Sequence, residues 1–455
     1  MALLSISNFA SKILIFFLVP LYTSVLSTTE YGIYDLSIST VSLLFPIFTL
    51  NIVDAVMRFT MDENIDKKSI ATIGIKYILF SIAGVALFLF ILGKLNIWQD
   101  IEGLKIYLFA YYTLYAFNQF FIQFAKGNEK VSDMSIAGVL STVVMIVLNI
   151  ICLLVLKWGL KGFFIANILS QGISAFYLGM RLHIWNYIEW NLNNTILKKE
   201  MLLYSTPLIT TVVGWWINST ADKYAVTILC GVAINGIFSV AYKIPQILNT
   251  FQSIFIQAWQ ISAIKEYGKE DTAEFYGRSF SIIIVLMCAV CSWLIFLDKP
   301  LARLLYANDF YSAWEYVPFL LISSVINCAA GLLGPILSAK KNSRPMAFAA
   351  IYGTITNIIM NIVLVILIGA QGATIATVIS SLVIYYIRKK AVGKEIIIDG
   401  YFTIIITWGL LCLQAIIEIM SNMWYVEIII MITMLMINRR NCQQVIQMGK
   451  ALLRH

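Results

Sequence analysis

The residues with the clearest chemical potential in this sequence are charged side chains that fall inside or at the ends of long apolar segments. A charge that faces lipid at the centre of a bilayer costs about 3 kcal/mol or more, so such side chains should face a polar cavity or one another. Ammonium groups at that depth would present positive charge to a phosphate or pyrophosphate. The predicted substrate-binding cations are Lys12, Lys76, Lys223, Lys243 and Arg58.

Neutral polar side chains recur in the same segments at helical spacing. At 100° per residue, Lys243, Gln246, Thr250, Ser253 and Gln257 fall within an arc of about 80°, and Trp215, Asn218, Ser219 and Asp222 share an arc of about 100°. Such groups suit a hydroxyl-rich sugar. The predicted glycan contacts are Trp215, Asn218, Gln246, Gln257, Tyr111 and Asn118. The alternative is hydrogen-bonded packing between helices.

Two carboxylates are predicted to couple transport to an ion. Asp222 and Asp54 could change protonation or bind a cation as the protein moves. Asp54 and Arg58 are four residues apart on one helical face, so an intrahelical ion pair is the alternative for them. A third carboxylate, Asp35, is expected either in the cavity or at the outer membrane interface.

The elements that must position these residues follow from the composition. The chain has 455 residues, of which 60% are hydrophobic and 12% are charged. A soluble domain is about a quarter charged, so the apolar surface here must face lipid. Segments of about 20 apolar residues recur, as membrane-spanning helices require, and they lack the alternation of barrel strands. The first segment carries no small-residue cleavage site and is expected to be retained.

We predict an all-α membrane protein of about 14 spanning helices. The first six segments lie near 5–26, 33–60, 69–92, 104–125, 132–156 and 160–182. The remaining eight lie near 200–229, 232–260, 274–296, 312–338, 344–368, 370–389, 400–421 and 423–437. Lys and Arg concentrate in one set of alternate loops, by 22 to 6. Because cytoplasmic loops collect positive charge, both termini are expected in the cytoplasm. The net charge of +8 is explained by this topology, so no nucleic-acid partner is expected.

The two halves of the sequence repeat one another. Gly32-Ile33-Tyr34 corresponds to Gly236-Ile237-Phe238, and Gly159 to Gly162 corresponds to Gly369 to Gly372, 210 residues later. Two parallel six-helix bundles with a cavity at their interface, opened to alternate sides by rocking, are typical of transporters. The predicted parts are an N-terminal bundle (1–183), an interfacial linker (184–199), a C-terminal bundle (200–390), and two extra helices with a basic cytoplasmic tail (391–455).

Enzymatic chemistry has little support in the sequence. The chain has two histidines, His183 and His455, and no large external loop. Cys288 and Cys291 form a C-x-x-C spacing in mid-helix, where packing is the favoured interpretation over a redox or metal site. No cofactor, metal site or catalytic residue is predicted, and a membrane polysaccharide polymerase is the minor alternative.

The sequence resembles the polysaccharide-transport proteins, the flippases of O-antigen and capsule repeat units. The resemblance rests on Asn8-Phe9-Ala10-Ser11-Lys12, Phe17-Leu18-Val19-Pro20-Leu21-Tyr22-Thr23, Glu30 to Asp35, Ala221-Asp222-Lys223-Tyr224 and Gly236 to Pro245. These proteins belong to the multidrug/oligosaccharidyl-lipid/polysaccharide exporter superfamily, whose fold is MATE-like. The family pattern reads Asp-Arg where this chain has Asp222-Lys223, which keeps the charge but loses the bidentate guanidinium.

The resemblance implies a function as well as a fold. It implies a bacterial inner-membrane flippase that moves undecaprenyl-pyrophosphate-linked oligosaccharide to the periplasmic leaflet for lipopolysaccharide or capsule synthesis. It further implies antiport of H⁺ or Na⁺, contact with membrane lipid, and a polymerase and chain-length proteins as partners. A multidrug or small-solute exporter would share the fold, since fold does not fix substrate. A major-facilitator sugar transporter is disfavoured, because its Gly-rich basic motif is missing from 59–68.

Overall fold

The computed structural model describes residues 16–62, 64–94, 103–192, 194–340, 344–398, 400–421 and 423–444. It also leaves the side chains of 254, 257, 258 and 261 undescribed. All regular elements of the described residues are helices. Lys12 and the start of the first predicted segment lie outside these residues.

Within the described residues, eight helices are long and apolar enough to cross a membrane. They begin at Thr28, Lys67, Val131, Gly159, Thr272, Asn308, Arg344 and Tyr401, and the shorter apolar helix Trp424–Ile437 follows. The prediction of an all-α multi-pass membrane protein is confirmed, whereas the number of 14 spanning helices stays a prediction. Large side chains such as Phe80, Phe176 and Ile366, each at least 65% exposed, are suited to contact lipid.

The chain divides into two compact units, Met1–Thr220 and Ala221–His455. The first unit contains α1 (Val19–Val25), α2 (Thr28–Phe48), α3 (Ile52–Thr60), α4 (Lys67–Lys94), α5 (Lys105–Gly127), α6 (Val131–Asn149), a π-helical turn (Ile150–Val155), α7 (Gly159–Arg181) and the 3₁₀ turn Ile184–Tyr187. Helix α8 (Thr195–Cys230) begins in this unit and ends in the second.

The second unit contains α9 (Val232–Ala241), α10 (Lys243–Glu266), α11 (Thr272–Phe296), α12 (Asp298–Leu305), the 3₁₀ helix Asn308–Tyr316, α13 (Val317–Ala339), α14 (Arg344–Ile368), α15 (Gln371–Val392), the 3₁₀ turn Gly393–Glu395, α16 (Tyr401–Met420) and α17 (Trp424–Ile437). Helix α13 forms its centre, with 89% of its most apolar window buried. The domain boundaries expected from the sequence stay a prediction.

Two predicted segments are interrupted in the structure. The segment 33–60 is divided into α2 and α3 because Leu50 and Asn51 adopt left-handed backbone conformations, with φ of 51° and 52°. Pro46 also lacks the N–H that would continue the hydrogen-bond ladder. The segment 232–260 is divided at Tyr242, three residues before Pro245. Breaks of this kind are tolerated in membrane helices where neighbouring groups satisfy the backbone.

The stretch between α7 and α8 packs on the end of α4. Lys68 pairs with Glu189 at 2.5 Å, and the Thr72 hydroxyl accepts from the Glu189 backbone N–H at 3.0 Å. Trp185 and Trp190 are 55% and 58% exposed. Exposed tryptophans beside charged residues are typical of a segment at the membrane interface, and the interfacial position of the linker stays a prediction.

Candidate functional site

The most strongly organised of the predicted site residues is Asp222, which is 3% exposed on α8. Its Oδ2 accepts hydrogen bonds from the Tyr242 hydroxyl at 2.9 Å and from the Thr377 hydroxyl at 2.6 Å. Its Oδ1 accepts from Asn361 Nδ2 at 2.6 Å. Three neutral donors therefore offset part of the cost of removing this carboxylate from water.

These donors reach Asp222 because α14 and α15 pack closely. Gly369, with φ of +67°, begins the two-residue turn between them. A Cβ on Gly372 would lie 2.3 Å from the carbonyl oxygen of Leu364, so a larger residue would force the two helices apart. Asn357 and Asn361 are four residues apart and face the interior together, each 1% exposed. Asn361 Nδ2 also donates to Asn357 Oδ1 at 3.0 Å.

The Tyr242 hydroxyl is held in place by an apolar layer. Val226, Phe238, Val365, Ala370 and Ala373 form a buried cluster against which Tyr242 packs. The Phe238 and Tyr242 rings meet edge to face, with centroids 5.4 Å apart. Aromatic pairs favour this geometry, so the ring orientation directs the hydroxyl at Asp222.

The Asp222 cluster has spare oxygen acceptors. Asn361 Oδ1 is buried and receives no hydrogen bond from the described residues. The Thr377 hydroxyl has one proton but two acceptors in reach, Asp222 Oδ2 at 2.6 Å and the Ala373 carbonyl at 2.9 Å. If it donates to Ala373, its lone pairs become available beside Asp222. A carboxylate with amide and hydroxyl oxygens is a donor set for a proton or a hard cation.

Two predicted cations lie directly beside this cluster. Lys223 follows Asp222 in the sequence, is half-buried, and places its Nζ 5.7 Å from the centroid of the Tyr242 ring. Lys243 follows Tyr242 and is half-buried at the start of α10. Each lysine is thus the chain neighbour of one member of the Asp222–Tyr242 hydrogen bond.

The other predicted charged residues are spread over the first unit. Lys76 is exposed and donates from Nζ to the Leu192 carbonyl at 3.1 Å, so it contacts the linker. Asp54 is half-buried and accepts from Asn51 Nδ2 at 2.8 Å. Arg58 is exposed, and in the part of the chain that the structure describes no ion pair joins it to Asp54.

The predicted glycan contacts differ in accessibility. Trp215 is 67% exposed, Gln246 is exposed, and Asn218 is half-buried. The Gln257 side chain lies outside the described set. The indole of Trp215 and the amides of Gln246 and Asn218 are therefore accessible to a ligand.

Two further predicted glycan contacts are buried in the first unit. Tyr111 is 7% exposed and stacks on Tyr115, with centroids 5.9 Å apart. Asn118 donates to Gln171 Oε1 at 2.5 Å and accepts from the Ser174 hydroxyl at 2.8 Å. Asn118 therefore joins α5 to α7, and a contact with glycan stays a prediction for both residues.

Sequence reasoning missed Asn361 and Thr377, which donate to Asp222, and Asn357, which accepts from Asn361. The available signal was a pair of asparagines four residues apart in the apolar segment 344–368. A single such pair is ordinary in membrane helices, where amides often form hydrogen bonds between helices. It did not identify a site, because the sequence does not show which residues of two packed helices face each other.

The fold and the buried polar cluster define a class of protein, a multi-pass α-helical membrane protein with polar side chains buried among its helices. The fold is similar to that of "Lipid II flippase MurJ, inward closed conformation", with a TM-score of 0.71, 15% identity, and coverage of 98% of this chain and 100% of that chain. An inward-facing multidrug resistance MATE family transporter of the MOP superfamily follows, with a TM-score of 0.62, 15% identity, and coverage of 86% and 98%. A MOP superfamily transporter from Pyrococcus furiosus has a TM-score of 0.59, 13% identity, and coverage of 87% and 95%.

The sequence identifies the family within that class. Residues 1–260 match the family described as "Polysaccharide biosynthesis protein", and the chain belongs to this family. No curated protein matches the sequence.

Proposed function

We propose that this protein is a flippase that moves undecaprenyl-pyrophosphate-linked oligosaccharide repeat units from the cytoplasmic to the periplasmic leaflet of a bacterial inner membrane. The family membership and the likeness in fold to a lipid II flippase support this proposal. The excess of Lys and Arg in one set of loops supports cytoplasmic termini. Transport proceeds by alternating access, in which the substrate cavity opens to one side of the membrane at a time.

The observation that carries the proposal is the pairing of cations with a coupling carboxylate. Lys223 and Lys243 supply positive charge for a pyrophosphate, and they adjoin Asp222 and Tyr242, which are joined by a 2.9 Å hydrogen bond. Lys76, Arg58 and Lys12 are the further candidate cations. Trp215, Asn218, Gln246 and Gln257 supply groups for the sugar, with Tyr111 and Asn118 as further candidates.

The coupling step uses the spare acceptors of the Asp222 cluster. A proton or Na⁺ that binds Asp222 takes over part of the carboxylate charge and weakens the bond to the Tyr242 hydroxyl. The Thr377 hydroxyl then donates to Ala373 and turns a lone pair to the ion, and Asn361 Oδ1 provides another oxygen. Release of Tyr242 changes the positions of its neighbours Lys223 and Lys243, so ion binding and pyrophosphate binding influence each other. Asp54 is a second candidate for this coupling.

The deciding experiment measures where lipid-linked glycan accumulates in bacteria that lack this protein. An impermeant sugar-binding probe reports on repeat units in the outer leaflet, and total lipid extracts report on all of them. We expect complete units trapped on the cytoplasmic side, with export restored by the wild-type chain but not by Asp222→Asn at equal membrane levels.

Other distributions of the glycan would contradict the proposal. Units that reach the outer leaflet but stay unpolymerised would indicate a polymerase. Unchanged glycan would make a drug or small-solute exporter the leading function, and loss of resistance to cationic drugs in the same strain would then identify it.

A further inference from the structure

A second group of buried carboxyls lies in the unit Ala221–His455, apart from the Asp222 cluster. Asp298 begins α12, Glu418 lies near the end of α16, and Glu427 lies in the first turn of α17. Their exposed fractions are 0%, 5% and 1%. Three carboxyls from three helices are thus removed from water at one place, where ionised groups are strongly disfavoured unless they are paired.

The pairing in this group is incomplete. Lys299 Nζ lies 3.1 Å from Glu418 Oε1 and 4.4 Å from the centroid of the Trp314 ring, and it donates to the Glu418 carbonyl at 2.9 Å. Glu427 accepts a 3.4 Å hydrogen bond from Gln414 Nε2. The Asp298 side chain is fully buried, and its oxygens lack a well-formed hydrogen bond in the described residues, with only the Lys299 backbone N–H and the Glu418 carboxyl close by.

The charges do not balance if all three carboxyls are ionised. One ammonium would then face three carboxylates, a net charge of −2 in a buried site. The carboxyl of Glu418 lies within hydrogen-bonding reach of both Asp298 and Glu427, and such contacts require a proton between each pair. Burial and the neighbouring Glu418 charge raise the pKa of the Asp298 carboxyl. The group therefore has the chemistry of a site whose ligand is a proton.

The elements packed around the site add no further cation in the described residues. Helix α11 contributes the Ser292 hydroxyl, which donates to Gln414 Oε1 at 2.5 Å. The 3₁₀ helix Asn308–Tyr316 contributes Trp314. Lys299 is the single ammonium that the structure pairs with the three carboxyls, so protons must supply the remaining compensation.

We propose that Asp298, Glu418 and Glu427 form a proton-binding site that fastens the helix pair α16–α17 to α11 and α12, and that loss of its proton loosens this attachment. Lys299 belongs to the sparsely basic set of loops, so the predicted orientation makes periplasmic pH the controlling variable. The proposal does not depend on the transported substrate, since it concerns the attachment of two helices within one unit.

The sign of the pH effect follows from the direction of the shift. A carboxyl whose pKa is raised by folding stabilises the folded state fully below its ordinary pKa, where both states are protonated. Between the ordinary and the raised value the unfolded state releases its proton while the folded state keeps it, so this contribution is lost as the pH rises. Stability should therefore fall with rising pH over this window.

The test measures the thermal unfolding midpoint of the full-length protein in detergent from about pH 5 to about pH 10. We expect the wild-type midpoint to fall as pH rises, and Asp298→Asn, which mimics the protonated acid, to flatten that profile. Asp309→Asn, an exposed position in the neighbouring 3₁₀ helix, is the matched control and should keep the wild-type slope. Equal slopes in wild type and Asp298→Asn would overturn the proposal.

A second measurement uses only the wild-type chain, so it stands even if Asp298→Asn does not fold. Dicyclohexylcarbodiimide modifies protonated carboxyls in apolar surroundings, and mass spectrometry locates the modified residue. Modification of Asp298, Glu418 or Glu427 at neutral pH that decreases at alkaline pH is the expected result. Absence of modification at these three residues at every pH would show that they hold no proton and would reject the site.

Discussion

Two buried polar clusters, one from each unit, differ in their composition and hydrogen bonding. In the unit Met1–Thr220, Asn118, Gln171 and Ser174 form a neutral network in which amide and hydroxyl groups satisfy one another. In the unit Ala221–His455, Asp222 is surrounded by neutral donors, and Asn361 Oδ1 has no donor in the described residues. The first arrangement joins helices, whereas the second leaves capacity for an ion.

Individual positions of the repeat show where the difference arises. Thr377 follows Gly372 at the distance at which Asn167 follows Gly162. Asn167 donates to the Phe163 carbonyl of its own helix at 2.8 Å, while Thr377 donates to Asp222 on another helix. The two positions therefore differ in whether their side chain reaches a carboxylate on another helix.

Loss of the Asp222 carboxylate should remove this difference between the two clusters and should have the largest effect on glycan export. Asp222→Asn keeps the size and most hydrogen-bonding capacity but removes the charge that binds an ion. We expect glycan export to fall to about one hundredth of wild type or less, equivalent to about 2.7 kcal/mol. Export is measured by the impermeant sugar-binding probe at matched membrane levels of protein.

The control for Asp222→Asn is Asp133→Asn in the first unit. Asp133 is 9% exposed and paired with Arg181 at 3.0 Å, so we expect its loss to affect stability and to leave ion coupling unchanged. An equal fall in export in both variants would show that Asp222 is no more important for transport than a structural carboxylate of the first unit.

Substitution of the two lysines beside Asp222 should have the second-largest effect on export. Lys223→Ala and Lys243→Ala each remove a positive charge for pyrophosphate, and we expect a loss of export of about tenfold or more, or about 1.4 kcal/mol. Lys223→Arg should retain most activity, because it keeps the charge and matches the Asp-Arg pattern of the family that the sequence resembles. Lys76→Ala is the comparison, since its ammonium contacts the Leu192 carbonyl.

Results for these lysine variants can reverse the assignment. Full export by Lys223→Ala and Lys243→Ala, together with a loss in Lys76→Ala, would move the cation site from the second unit to the first. Failure of Lys223→Arg alone would instead indicate that the size of the ammonium, and not its charge, is what the site requires.

Replacement of Thr377 tests whether Na⁺ or a proton binds at the Asp222 cluster. Thr377→Val removes one oxygen ligand and one donor to the carboxylate, and we expect the half-saturating ion concentration to shift by about tenfold. If the ion is Na⁺, the lost ligand raises the Na⁺ concentration needed for export. If it is a proton, the Na⁺ dependence stays unchanged and only the pH dependence of export changes. Thr377→Ser should behave as wild type.

Ion dependence of Thr377→Val is measured in proteoliposomes with separately varied Na⁺ and pH. A variant whose dependence on both ions is unchanged would remove Thr377 from the coupling site. Asn167→Val, at the repeat-related position in the first unit, is the matched control and should leave both dependences unaltered.

The sequence predicted the membrane-spanning helices from the length of its apolar segments. It singled out Asp222 and the neighbouring lysines because a charge inside an apolar segment is a strong physical anomaly. It did not predict the break at Asn51, since left-handed backbone at non-glycine residues depends on tertiary packing. The break at Tyr242, where the backbone stays right-handed, was not predicted either. Asn361 was missed because neutral amides are common in membrane helices. Asp298 and Glu418 were missed because their approach depends on the packing of helices that are far apart in sequence.

The smallest expected effect belongs to the neutral network of the first unit. Ser174→Ala removes one hydrogen bond to Asn118 and should lower the free energy of unfolding by about 1 kcal/mol without changing the ion dependence of transport. Thermal unfolding in detergent measures the first effect and the proteoliposome assay the second. An altered ion dependence would mean that the Asn118 network also takes part in coupling, and the functional difference between the units would then be one of degree. If Ser174→Ala lowers stability and leaves the ion dependence of transport unaltered, the Asn118 network serves the packing of helices. The contrast with the groups around Asp222, which we propose serve transport, would then stand.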